Sequence, residues 1–185
     1  ANAGTTFAGT TVITTGEGED SENTGESGYG ELTALAIGED GSNILIDAGS
    51  ALTLDNSTAV NRIGLTSAAS VTSSSVLTGG DDIDVEAGGD ITIADAISTT
   101  GEIDLEAEGS VAAGNLESGA STSIESACGD VTVDSVTANL SPDSTAEDIE
   151  GFSAIAGGGT LSVGSATADN IGLAARGAIS ADSLI

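Results

Sequence analysis

Residues 83 to 93 read Ile83, Asp84, Val85, Glu86, Ala87, Gly88, Gly89, Asp90, Ile91, Thr92, Ile93, and twenty positions later the chain repeats itself as Ile103, Asp104, Leu105, Glu106, Ala107, Glu108, Gly109, Ser110, Val111. Apolar and polar residues alternate, and a period of two is the mark of a strand that buries one face. The same frame starts again at Ile44, Ile63, Ile83, Ile103, Ser123, Ser153 and Ile171, with gaps of 19, 20, 20, 20, 30 and 18 residues. Within a unit, apolar or small residues fall in three bursts, at offsets 0, 2 and 4, then 8 and 10, then 13 or 14. Gly, Asn, Asp and Ser between the bursts supply turn conformations, so each unit predicts three strands and three corners. A unit this small has no core of its own and must stack on its neighbours, each strand pairing in parallel with its equivalent one rung away. The expected fold class is all-β, a parallel β-helix or β-solenoid of about seven coils of 18–20 residues.

The pattern names the interior. One wall carries Ile44, Ile63, Ile83, Ile103 and Ile171, then Ile46, Leu65, Val85, Leu105, Ile155 and Leu173. A second carries Leu52, Val71, Ile91, Val111, Val131, Leu161 and Ile179, with Leu54, Ile93 and Val133 beside them. The third holds Val76, Ile97, Leu116, Val136, Ala166 and Leu184. In the unit at Ser123 the inward residue is Ile124 and not residue 125, which predicts a β-bulge near Cys128, itself expected to be a small buried residue.

The length suits one domain, with two regions of unequal regularity. Residues 44–185 form the repeats, interrupted by a loop at 140–151 that holds the only proline, Pro142. Residues 1–43 form an N-terminal cap in which 10–15 and 32–37 are strand-like and 16–30 is an acidic Gly/Ser/Thr loop.

Composition narrows the function. Two Lys+Arg against thirty Asp+Glu leave a net charge of −28 over 185 residues, which excludes nucleic acid and polybasic membrane attachment. No apolar run approaches the roughly 20 residues that cross a bilayer as a helix, so membrane insertion is not expected. His, Met and Trp are absent and aromatics are 2% of the chain, which removes the usual general base, imidazole ligands and stacking platforms. Arg62 and Arg176 are the only cations, too few for a lyase acting on uronates, and paired acids on a strand wall without an aromatic subsite argue against glycoside hydrolysis. No enzyme activity is expected.

The units of Ile-x-Leu-x-Ala-x-Gly-x-Val type over residues 44–185 resemble the repeats of filamentous-haemagglutinin-type adhesins and related autotransporter passenger domains. That resemblance implies a secreted, surface-exposed protein serving in cell attachment or extracellular structure. An acidic chain nearly free of Lys and Arg agrees with an extracellular location.

Outward positions are the candidate sites. Asp84 lies over Asp104 and Glu86 over Glu106, four carboxylates on adjacent rungs whose repulsion a calcium ion would offset. A second calcium candidate, Asp20, Glu22 and Glu31, has the spacing of an EF-hand loop without its flanking helices. At offset 9 stand Thr53, Thr72, Thr92, Ala112, Thr132, Ser162 and Ser180, a hydroxyl column suited to β-structure and, as the alternative function, to recognition of ice or a glycan. Asn56 and Asn139 begin tripeptides of the N-glycosylation type. Residues 178–185 still follow the repeat, so Ile179, Leu184 and Ile185 form an uncapped assembly edge that invites head-to-tail self-association into a filament.

Overall fold

The computed structural model describes residues 11–15, 32–37, 43–138 and 151–185. Numbered in chain order, the odd strands are β1 (Thr11–Thr15), β3 (Asn43–Ala48), β5 (Arg62–Ser67), β7 (Ile83–Ala87), β9 (Ile103–Ala107), β11 (Thr122–Ser126), β13 (Phe152–Ala156) and β15 (Ile171–Ala175). The even strands are β2 (Leu32–Ile37), β4 (Leu52–Ala59), β6 (Val71–Gly79), β8 (Ile91–Ser98), β10 (Val111–Ser118), β12 (Val131–Ala138), β14 (Leu161–Thr167) and β16 (Ile179–Leu184). Odd strands make one sheet of eight and even strands another, each strand pairing with its equivalents one rung before and after it. Every pairing is parallel, as in β7 with β9 and β10 with β12. The molecule is thus an all-β parallel solenoid, without helix among the described residues. Strands β1 and β2 pair with β3 and β4 and continue both sheets.

The alternation in the sequence becomes the wall. In β9, Ile103, Leu105 and Ala107 are buried and Asp104 and Glu106 face solvent. Aliphatic side chains from successive rungs stack into one continuous core running from Ile44 to Ala166. Parallel in-register pairing places like side chains one above another, at about 4.8 Å per rung.

Two hydrogen-bonded sheets replace the three expected walls, because the second and third walls join within each even strand. In β10, Val111 and Ala113 point inward, Gly114 and Asn115 turn outward, and Leu116 and Ser118 point inward again. Pairing with β12 runs Ala113↔Val133 and then Asn115↔Ser135, skipping one residue on each strand at the bend. The rungs bend together and the sheet stays continuous. At this bend Gly114 faces the carbonyl of Ala94 on the preceding rung so closely that a Cβ would collide with it.

Several inward positions differ by one residue from expectation. Strand β6 has one residue more than β4 and β8 across Ser73–Val76, a bulge in the run of serines, and so Leu77 is buried where Val76 was expected. In β8 the inward residue is Ala96, fully buried, while Ile97 is 36% exposed. Ala96 sits in register between Leu77 and Leu116, because the inward phase of β8 shifts by one residue at the bend Ala94–Asp95. The frames expected at Ser123 and Ser153 begin at Thr122 and Phe152: Thr122 pairs with Ile103 on one side and Phe152 on the other, and Phe152 pairs onward with Ile171. Ala154 therefore points inward and Ile155 stays 39% exposed. No bulge interrupts β11: the additional residue near Cys128 lies in the corner Ala127–Gly129, and Cys128 is exposed rather than buried. Of the inserted loop, residues 140–150 lie outside the described residues, as does the acidic segment 16–30.

Candidate functional site

The outer face of the odd-strand sheet brings the predicted carboxylates together. Asp84 stands in register with Asp104, and Glu86 with Glu106, as the spacing required. The glutamate column continues to Glu125 on β11, while Asp104 meets Ser123 there. At about 4.8 Å separation, neighbouring carboxylates repel by roughly 1 kcal/mol in water and by more where solvent is reduced. The response is local. Asp84 is taken by Arg62, whose Nε donates to Oδ2 at 2.6 Å. The Arg62 and Asp84 side chains are 52% and 38% exposed, so solvent screens the pair and it contributes at most about 1 kcal/mol.

Asp104 carries the remaining strain. Partial burial holds its carboxyl above the ordinary aspartate range, and Asp84, Glu102 and Glu125 add to the effect, while a hydrogen bond with Ser123 opposes it. Gly64, in register with Asp84 and beside Leu45, has no side chain to fill the face, and a shallow cavity of about 310 Å³ opens there between Asp47, Arg62 and Asp84. As placed, Asp84, Glu86, Asp104 and Glu106 form two side-by-side pairs. Among the described residues no group of three or more Asp, Glu or Cys side chains is positioned to hold a metal ion. The other calcium candidate, Asp20, Glu22 and Glu31, lies outside the described residues.

The hydroxyl column stands in register on the even-strand sheet. Thr53, Thr72 and Thr92 follow one another, Ala112 interrupts them, and Thr132, Ser162 and Ser180 resume. Part of its hydrogen bonding is internal, since Ser180 Oγ donates to Ser162 Oγ at 3.3 Å. At β16, Ile179 and Leu184 occupy core columns above Leu161 and Ala166 yet are each 47% exposed, and Ile185 is 77% exposed. Asn56 lies in β4, and Asn139 lies outside the described residues.

Sequence reasoning missed the polar corner ladders. At the entry to the even strands, Asp90 N donates to Ser70 Oγ, Ser110 N to Asp90 Oδ1, Asp130 N to Ser110 Oγ and Thr160 N to Asp130 Oδ1, at 2.6 to 3.2 Å. Each side chain accepts a backbone N–H from the next rung. Acid alternates with hydroxyl, so the carboxylates stand two rungs apart and their repulsion is reduced. The Thr160 backbone and hydroxyl hold the Asp130 carboxyl below the usual aspartate range. At the bend of the even strands, Asn115 Nδ2 donates to Asp95 Oδ1 at 2.7 Å, and Ser135 Oγ donates to Asn115 Oδ1 at 2.7 Å. The signal was the recurrence of Ser70, Asp90, Ser110, Asp130 and Thr160 one residue before β6, β8, β10, β12 and β14.

Buried serines make a second set of ties. Ser67, Ser98 and Ser126 each donate Oγ to a carbonyl on the preceding rung, of Ser50, Asp81 and Gly109, at 2.6 to 2.8 Å. Each also accepts a backbone N–H at the following corner. No protein-family model matches the chain, and neither a curated protein nor a solved structure is detectably similar to it.

Proposed function

We propose that this chain is an extracellular structural or adhesive β-solenoid that extends end to end as part of a surface fibre, with no catalytic role. The observation that carries the reading is the continuity of the rungs. Core columns run in register to β16, where Ile179 and Leu184 remain partly exposed. An edge of this kind accepts a further parallel strand on its backbone donors and acceptors, from the same chain or from a second molecule. A head-to-tail contact between molecules does not close, so it propagates. The net charge of −28 opposes that contact, and salt screens the opposition. The resemblance to adhesin repeats and the scarcity of cations support a secreted or cell-surface location.

Light scattering and negative-stain microscopy test the proposal on the wild-type chain beside Ile179→Lys and Leu184→Lys. Filaments that lengthen with salt in the wild type and disappear in the variants support it. A wild type that stays monomeric at high concentration in salt, or variants that assemble equally well, overturns it.

A second reading rests on the in-register hydroxyls at Thr53, Thr72 and Thr92, a regular neutral array that suits ice or a neutral glycan. Thermal hysteresis and glycan-array binding, compared between wild type and Thr72→Lys, separate it from the first.

A further inference from the structure

We draw no further inference here: the strongest candidate, the shallow acidic trough that Asp47, Glu86, Glu106 and Glu125 line on the outer face of the odd-strand sheet, is a cluster of carboxylates with no second feature in the structure that marks a ligand in it.

Discussion

At the scale of single residues, two aspartates respond to acid in opposite directions. Asp104 titrates above the ordinary aspartate value because it is partly desolvated and because the charges of Asp84, Glu102 and Glu125 oppose its ionisation. The folded state then binds the proton more tightly than the unfolded chain, so the stability from this group is complete in acid and is lost as pH rises through its raised pKa. At neutral pH the ionised side chain works against the fold. Asp104→Asn is therefore expected to raise Tm at neutral pH, with the gain fading below the ordinary aspartate pKa; a variant that melts lower than wild type at pH 7 contradicts this. Asp130 is the reverse case, held ionised by Thr160. Its contribution is present above the ordinary aspartate pKa and is lost as pH falls through the lowered value. Asp130→Ala is expected to melt lower than wild type at neutral pH, and the two curves should converge in strong acid. Ser126 tests the buried ties: Ser126→Val removes its bonds to Gly109 O and Gly129 N, at a cost of about 1–3 kcal/mol in urea unfolding.

At the scale of elements, the bend within the even strands decides how many sheets exist. Strand β10 keeps its pairing across Gly114 while its inward phase slips by one residue, and the bend column alternates Ala94, Gly114, Asp134 and Gly164 down the stack. Gly114 and Gly164 are the members whose missing Cβ lets the preceding carbonyl approach. Gly114→Ala is expected to destabilise by about 1–3 kcal/mol, because the close-packed rung above has no room to move. Urea unfolding measures it; an unchanged midpoint shows that the bend relaxes freely. Strand β6 meets the same geometrical demand differently, with an additional residue among Ser73, Ser74 and Ser75. That bulge turns Leu77 inward in place of Val76.

For the whole molecule, long stacks of one-rung contacts make charge a collective property. The chain carries thirty acids and two cations, and among the described residues the in-register pairs Asp84/Asp104, Glu86/Glu106 and Glu106/Glu125 place carboxylates on adjacent rungs. Since no group of three among the described carboxylates is placed to hold a metal ion, divalent cations are expected to act as screening counter-ions: calcium and magnesium at equal ionic strength should raise Tm alike, both more than sodium. Calcium raising Tm well beyond magnesium would instead reveal a selective oxygen-ligand site. By itself the sequence determined the parallel solenoid, the first-wall columns from Ile44 to Leu105 and the stacking of the carboxylates, because a period of two within a period of twenty leaves few other ways to bury Ile, Leu and Val. It could not decide between adjacent candidates such as Ala96 and Ile97, since both are apolar and only the bend at Ala94–Asp95, in register with the bend of β10, sets which of them points inward. The corner ladders were likewise hidden: Ser110 and Asp130 read as turn residues in isolation, and only the stacking of rungs brings each side chain to the next backbone N–H.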